Sequence, residues 1–412
     1  MEGSRERVRV LLDAADLGPP RTVGALTRAR GGGQSVISFE YDAGWVGARD
    51  SFPLDPGLQL FEGEQFPAAL PGVFADAAPD RWGRTLQERR EGRIAREQGR
   101  LPRPLDDWDF LVGVSDPLRM GALRLAREDG TFIDDHDLTV PPSTRLRELE
   151  HWARQAEEGQ PQPGSEQERW VAMLVAPGSS LGGARPKATF RDEDDTLWIA
   201  KFPSREDRHD VGAWEYLVAR IAADAGIEIP EVKLLELGAG FRTFSSQRFD
   251  RAQGGRRLYA SAMTLTGRRD GEAASYLDIA EAIVREGDPG AIEQDLRQLF
   301  RRLVFNVLVG NRDDHLRNHG FLRTPGGWRL APAFDVNPAP FTVAHSLALD
   351  EAQTAPDLGA ALATAELYRL GSEEAGGIAA EVEDAVARWR PAARELGLTA
   401  DEVELFAPAF AS

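Results

Sequence analysis

The chain has 412 residues, more than one hydrophobic core of ordinary size requires, so two or three packed units are expected. It contains no cysteine, which excludes disulfides, thiolate chemistry and cysteine-ligated zinc and favours a reducing compartment. The formal net charge of −18 opposes direct binding of nucleic acid; the acidity either attracts a basic protein partner or only maintains solubility.

Nothing in the sequence predicts contact with a membrane. Residues 1–10 are charged and lack the apolar run of a signal peptide. No apolar stretch approaches the roughly 20 residues needed to cross a bilayer. We therefore expect a cytoplasmic protein.

Residues 1–142 are predicted to form a small β-rich domain. Short strands separated by turns are expected within residues 22–60. A helix that Asp80 caps is expected to run to about Gln98. Residues 109–125 are predicted to be a loop that leads into an edge strand.

Residues 143–270 are predicted to form the strand-rich part of a second module. It would begin with a bridging helix at about 143–158 and a polar linker. The elements expected after the linker are a helix at about 167–176, a glycine-rich loop at 178–184, strands at about 186–191 and 196–202, a helix at about 210–225, and strands near 231–237 and 241–249.

Residues 271–412 are predicted to be almost entirely helical, apart from the stretch 310–337. A strand-rich part followed by a helical part, with polar motifs where they meet, is typical of the layout of a kinase.

The stretch 310–318 carries the strongest chemical signal. Asp313 and Asn318 have the Asp-x4-Asn spacing of kinase loops, in which the Asp orients the attacking hydroxyl and the Asn binds metal. A hairpin pattern follows and leads to Asp335, which would return a second carboxylate to the same cleft to hold Mg²⁺. The alternative is that these side chains only cap a loop between helices. His315 is expected to form structural hydrogen bonds within the loop.

Lys201 lies at the end of a predicted strand that follows the glycine-rich loop. From there it can reach the α and β phosphates of ATP, and Glu215 in the next helix can hold it by an ion pair. Lys187 either adds charge to the phosphate site or lies in solvent. Glycine lets backbone amides approach phosphate closely, and the candidates in the loop are Gly182, Gly183 and Ala184.

Gln247, Arg248 and Phe249 end the last predicted strand before the helical part. In a kinase this is the hinge, whose backbone groups pair with the adenine edge. The alternative is an ordinary strand end with Phe249 in the core.

Taken together, these features resemble the HipA family of bacterial serine/threonine kinases, the toxins of HipBA-type toxin–antitoxin pairs. The resemblance runs from about residue 20 to 345 in the family's order. Stretches similar to the N-terminal domain of the family are 78–84, 110–113 and 120–123; those similar to its kinase domain are 180–187, 199–203, 248–251 and 310–318.

The resemblance implies an α+β, bilobal protein-kinase-like fold with a phosphoinositide-kinase-like C-lobe and a small β-rich N-terminal domain. ATP and Mg²⁺ would bind between the lobes. Asp313 would match the catalytic aspartate of the family, Asn318 and Asp335 its magnesium ligands, and Lys201 its ATP-contacting lysine.

Ser180 matches the position that autophosphorylates in characterised members and thereby inactivates the kinase, although Ser179 beside it is an alternative. Family members often carry an acidic residue where this chain has Gln247, which puts a side-chain contact to adenine in doubt. Ser180 can also be only a turn or helix-cap serine.

Known members phosphorylate an aminoacyl-tRNA synthetase and bind a small helix-turn-helix antitoxin, HipB-like in this resemblance. DNA contact would then be only indirect, through the antitoxin. Two other classes remain open: a small-molecule or lipid phosphotransferase, and a catalytically silent module for antitoxin or DNA-complex assembly. A metallohydrolase built on Asp313, Asp314 and His315 lacks the further ligands of a two-metal site.

Overall fold

The computed structural model describes residues 5–31, 34–133, 140–158, 174, 185–238, 240–252 and 255–410. Its strands are β1 Arg5–Leu12, β2 Arg21–Gly31, β3 Gln34–Tyr41, β4 Glu64–Gln65, β5 Leu123–Ala126, β6 Lys187–Arg191, β7 Leu197–Lys201, β8 Val232–Leu235, β9 Thr243–Gln247, β10 Arg251–Ala252, β11 Gly255–Arg256, β12 Tyr259–Ser261, β13 Gly320–Arg323 and β14 Trp328–Leu330.

The α-helices of the described ranges lie mostly in the second half of the chain. They are α1 Ala43–Val46, α2 Gly72–Ala75, α3 Arg81–Glu97, α4 Asp107–Val112, α5 Leu146–Glu158, α6 Val211–Asp224, α7 Ala262–Thr266, α8 Tyr276–Glu286, α9 Ile292–Leu308, α10 Leu358–Ala363, α11 Ser372–Ala387, α12 Trp389–Glu395 and α13 Ala400–Phe406. In the part of the chain that the structure describes, no helix is both long and apolar enough to span a bilayer.

The chain divides into two compact units. The first comprises Met1–Ile199 and Asp250–Gly267, and the second comprises Ala200–Phe249 and Arg268–Ser412. The three-part division at residues 142 and 270 stays a prediction.

The core of the first unit is a five-stranded sheet in the order β4-β3-β2-β1-β5, with antiparallel neighbours throughout. Strand β1, which pairs with both β2 and β5, is not predicted from the sequence, in which residues 1–10 have the appearance of a charged terminus. Arginines alternate with Val8 and Val10 along β1, and both valines are buried. Alternation with period two is the pattern of a half-buried strand, and here the charged residues made that pattern difficult to recognise.

Two further local predictions for the first unit have different outcomes. Helix α3 begins where expected, because Asp80 Oδ1 accepts a hydrogen bond from the Gly83 amide at 2.8 Å. The loop predicted from residue 109 is wrong in its first part, where α4 forms instead. A capping box between Asp106 and Asp109 supplies the start of that helix. The edge strand that was expected to follow is β5.

The segment Asp250–Gly267 belongs to the first unit because it is hydrogen-bonded to the loop before β5. The buried Asp250 carboxylate accepts from the Gly121 amide at 2.8 Å, and Arg251 donates to the Arg119 carbonyl at 2.9 Å. Two stretches that resemble the family, 120–123 and 248–251, are thus in direct contact.

The elements predicted between residues 186 and 249 are present within a few residues of their expected bounds. In the second unit, α6 is fixed by aromatic packing, with the Trp214 ring stacked on Phe406 at 4.1 Å between centroids. The prediction of helix beyond residue 337 is wrong for residues 338–357, which form neither helix nor strand. Pro338 and Pro340 start this stretch, and each lacks the amide hydrogen that a helix interior requires.

Candidate active site

The loop at residues 310–318 follows directly from the buried helix α9. Gly310 allows the chain to leave the helix, because its φ of 63° lies in the left-handed region that favours glycine. A Cβ atom at this position would lie 2.5 Å from the Ala409 carbonyl oxygen. The start of the loop is therefore restricted to glycine by both its backbone angle and its surroundings.

The fixed point of this loop is the buried carboxylate of Asp314. Its Oδ2 accepts from Asn306 Nδ2 at 3.0 Å, lies 2.8 Å from His319 Nε2, and accepts from the Tyr276 hydroxyl. Burial acts to raise the pKa of Asp314, but His319 and Tyr276 outweigh it and hold that pKa below its ordinary value. Three hydrogen bonds from three different elements thus hold the loop.

Replacing Asp314 with Asn is expected to lower the free energy of unfolding by about 3 kcal/mol, because it breaks a buried charged network. Tyr276→Phe, which removes one hydroxyl from the same network, should lower it by only about 1 kcal/mol. Urea denaturation of both variants measures the difference. An Asp314→Asn protein as stable as the parent would show that the network does not hold the loop.

The neighbouring Asp313 side chain is exposed, in contrast to Asp314. Neighbouring residues still keep part of the water away from its carboxyl group, and this partial burial raises the pKa of Asp313. Asp335 and Asp314 also raise it, whereas His315 lowers it. Asn318 Nδ2 donates to the Asp313 carbonyl at 3.3 Å. The geometry therefore brings Asp313, Asn318 and Asp335 into one neighbourhood.

Lys201 forms two short ion pairs inside the second unit. Its Nζ lies 2.5 Å from Glu215 Oε1 and 2.6 Å from Asp335 Oδ1. Burial acts to lower the pKa of Lys201, but Asp335 and Glu215 outweigh it and hold the pKa above its ordinary value. Lys201 is therefore positively charged, and its ammonium group lies beside the Asp335 carboxylate.

Asp335 itself has a φ of 57°, a left-handed conformation in which Asp is one of the few tolerated side chains. One side-chain amide contacts it. Asn337 Nδ2 donates to Asp335 Oδ1 at 3.2 Å. The side-chain oxygens of Asn337 and Asn318 are buried and lack a hydrogen-bond partner among the described residues.

Carboxylate and amide oxygens are the donors that Mg²⁺ prefers, so the residues around Asp335 fit this ion. No group of three or more His, Asp or Glu side chains within the described ranges is placed to hold a metal. Magnesium commonly binds through one or two carboxylates together with substrate phosphates, which fits such a sparse ligand set. Asn337, two positions after Asp335, is a further candidate oxygen donor that motif spacing alone does not indicate.

The predicted hinge lies at the end of β9. The Gln247 amide donates to the Glu231 carbonyl at 2.9 Å, and Arg248 is buried. The Phe249 ring packs against the ring of Phe334, with 5.4 Å between the centroids. Phe334 directly precedes Asp335 in the sequence. Phe249 is thus in contact with the segment that carries Asp335, the candidate magnesium ligand.

Lys187 was predicted as an ATP-binding residue, but its side chain is engaged in a buried ion pair. Its Nζ lies 2.6 Å from Asp80 Oδ2 in the first unit, and both side chains are fully buried. A lysine committed to this ion pair gives no support to a phosphate contact. The predicted helix at 167–176, apart from residue 174, lies outside the described residues, as do Ser179, Ser180, Gly182, Gly183 and Ala184.

His315 is half-buried, and its hydrogen bond within the loop comes from its backbone. Its backbone carbonyl accepts from the Asn318 amide at 2.8 Å. Its ring Nδ1 is buried without a hydrogen-bond partner among the described residues. The ring acts to lower the pKa of Asp313, against the effect of burial.

Comparison with known proteins relates this geometry to a family. The model of the HipA-like C-terminal domain matches residues 179–389, and that of the HipA N-terminal domain matches residues 19–125. A protein of Haemophilus influenzae is 28% identical over 190 residues, 40% of this chain and 54% of that protein. The serine/threonine-protein kinase toxin HipA of Shewanella oneidensis is 24% identical over 192 residues, 39% of this chain and 43% of that protein.

The chain therefore spans about half the length, or less, of these curated relatives. The solved complex of Shewanella oneidensis HipA with HipB and operator DNA contains a chain of similar fold. The superposition of the two chains has a TM-score of 0.66 at 17% sequence identity, and it covers 98% of this chain and 95% of that chain. The likeness confirms the predicted α+β, kinase-like fold. Because the HipA-like C-terminal domain accounts for more than half of the 412 residues, the chain belongs to the HipA family.

Proposed function

We propose that this chain is an ATP- and Mg²⁺-dependent serine/threonine protein kinase that acts as the toxin of a toxin–antitoxin pair. The observation that carries the proposal is the cluster of Lys201, Glu215 and Asp335, with ion-pair distances of 2.5 and 2.6 Å. Phosphoryl transfer needs a cation for the phosphates, oxygen ligands for Mg²⁺ and a group that orients the nucleophile. The second unit has a candidate for each.

Asp313 is the candidate for orienting the nucleophile. Its carboxylate is exposed, so it can accept a hydrogen bond from a serine or threonine hydroxyl of the substrate. Asp314 is unsuited to this role because three hydrogen bonds already engage its buried carboxylate.

Asn318 and Asp335 are the candidates for holding Mg²⁺, with Asn337 as an additional oxygen donor. Lys201 would neutralise the α and β phosphates, and Glu215 would fix the position of its ammonium group. Bound Mg²⁺–ATP supplies the phosphoryl group and offsets its charge. The backbone of residues 247–249 would pair with adenine.

The proposed partners rest on family membership. The related Shewanella oneidensis protein is named as a HipA toxin, and its solved structure contains HipB and operator DNA. We propose that this chain likewise binds a small HipB-like antitoxin, contacts DNA only through it, and phosphorylates an aminoacyl-tRNA synthetase. The absence of cysteine supports a cytoplasmic location.

Mass spectrometry after incubation with ATP and Mg²⁺ tests the proposal. Phosphate is expected on Ser180, or on Ser179 beside it, and in a cell lysate on an aminoacyl-tRNA synthetase. Asp313→Ala should abolish both signals, whereas Asp384→Ala, at an exposed aspartate on α11, should leave them unchanged.

Two results would favour the rival classes. Phosphate found only on small molecules or lipids would indicate a phosphotransferase of similar fold. ATP binding that survives Asp313→Ala, with no turnover by the parent protein, would indicate a catalytically silent assembly module.

A further inference from the structure

Residues 338–345 follow the Asp335 segment and are tied to the 310–318 loop. The Ala339 amide donates to the Gly310 carbonyl at 2.9 Å, and the Arg312 side chain donates to the Thr342 carbonyl. Just beyond the segment, the Ser346 amide donates to the Arg312 carbonyl at 2.9 Å. The two loop residues in these contacts, Gly310 and Arg312, lie within three positions before Asp313.

The two ends of this segment are buried, and its middle is exposed. Pro338 and His345 are buried, and the His345 amide donates to the Thr354 carbonyl at 2.7 Å. Between them, Phe341 is 72% exposed and Val343 is 83% exposed. They are the two most exposed large apolar side chains among the described residues of the second unit. The segment therefore presents apolar side chains from a backbone held at several points.

The segment also lacks charge in a strongly charged protein. No residue from 338 to 344 is acidic or basic, although 28% of the chain is charged and the net charge is −18. Exposed apolar side chains that lie together commonly mark a binding site, because covering them removes apolar surface from water. A basic partner segment would find no opposite charge here, whereas an apolar one would bury Phe341 and Val343.

We propose that residues 338–345 are a docking surface for the protein substrate, and that it selects apolar residues beside the phosphorylated serine or threonine. The inference deepens the proposed kinase function and rests on it. The occupant is an accessible segment of a protein whose acceptor hydroxyl reaches Asp313 while its apolar neighbours contact Phe341 and Val343. The hydrogen bonds that Ala339 donates to Gly310 and that Arg312 donates to Thr342 hold this surface close to Asp313 in the chain.

The test uses the full chain with ATP, Mg²⁺ and three synthetic peptides. Each has a central serine, flanked by leucine and valine, by lysine and arginine, or by aspartate and glutamate. The peptide with apolar flanks is expected to have the lowest KM. Phe341→Ser and Val343→Ser should each raise that KM roughly tenfold, the loss expected when one apolar contact is removed, with kcat little changed.

Leu367→Ser is the matched control, because Leu367 is 59% exposed in the same unit. It should leave the KM for every peptide unchanged. All three substitutions replace exposed side chains, so the variants are expected to fold.

Several outcomes separate this inference from the proposed function. Equal KM values for the three peptides, or a Phe341→Ser variant with unchanged KM, would overturn the docking surface and leave the kinase intact. Phosphorylation of the chain itself, with none of the peptides, would do the same. Phosphorylation of small molecules alone would overturn both the docking surface and the protein kinase function. A chain that transfers phosphate to no acceptor would overturn both.

Discussion

Replacing Asp313 with Asn is expected to lower the rate of phosphate transfer by about 10² to 10⁴-fold, the range that a positioned proton-accepting group contributes. ATP affinity should change little, because the proposed contacts to ATP and Mg²⁺ come from Lys201, Asn318 and Asp335. Single-turnover kinetics and calorimetric titration with ATP measure the two quantities. Asp384→Asn makes the same chemical change on an exposed helix surface and should alter neither.

The Asp313→Asn variant should be at least as stable as the parent protein at neutral pH. Burial and the neighbouring carboxylates raise the pKa of Asp313, so its charged form is less favourable in the folded state than in the unfolded one. This penalty applies above the folded-state pKa and disappears as pH falls below the unfolded-state value. A fall in melting temperature would attribute the lost activity to unfolding.

The pH dependence of transfer checks the same assignment. The ionised form of Asp313 is the one that can accept the hydrogen bond from the hydroxyl. The rate should therefore fall as pH drops through the raised pKa of Asp313, at a higher pH than an ordinary aspartate would require. A rate that stays constant over this range would contradict the role of Asp313.

Replacing Lys187 with Met is expected to lower the free energy of unfolding by about 3 to 5 kcal/mol, because it removes the positive charge from beside a buried carboxylate. Asp80 lies 2.6 Å from Lys187 Nζ, and it also caps α3. Urea denaturation with a fluorescence readout measures the loss.

The double variant Lys187→Met with Asp80→Asn is the matched control. Asn removes the unpaired charge and still accepts the helix-capping hydrogen bond, so most of the lost stability should return. A double variant as unstable as Lys187→Met would show that the ion pair is not the cause. If Lys187 instead serves ATP, Lys187→Met would lower ATP affinity and leave stability nearly unchanged.

The elements that sequence reasoning predicted well are those whose signals are local. Asp80 precedes the first turn of α3, so its capping role depends on residues within one helical turn. The apolar run of α9 and the turn before β14 are likewise local patterns. β1 was missed because its alternating arginines gave a weak strand pattern, and α4 was missed because it is a short helix with an aspartate cap. Burial against other elements stabilises both.

The Asp-x4-Asn spacing and Asp335 identified the stretch of sequence that is proposed as the active site, because ligand types and spacing follow from the chemistry of phosphate and magnesium. Which of two adjacent acids faces outward depends on packing. Asp314 is turned inward by Tyr276 and His319, which come from separate elements. Local sequence does not specify the contact with Tyr276, which lies 38 positions before Asp314 in the chain.

Lys187 shows the same limit most clearly. By itself the sequence determined a kinase-like order of strands, helices and polar motifs, because hydrophobic periodicity, helix caps and motif spacing act over a few residues. It left Lys187 open between a phosphate contact and solvent. Only the tertiary structure decided for a third position, in which Lys187 is buried against Asp80, because an ion pair between residues more than a hundred positions apart forms only when the core brings them together.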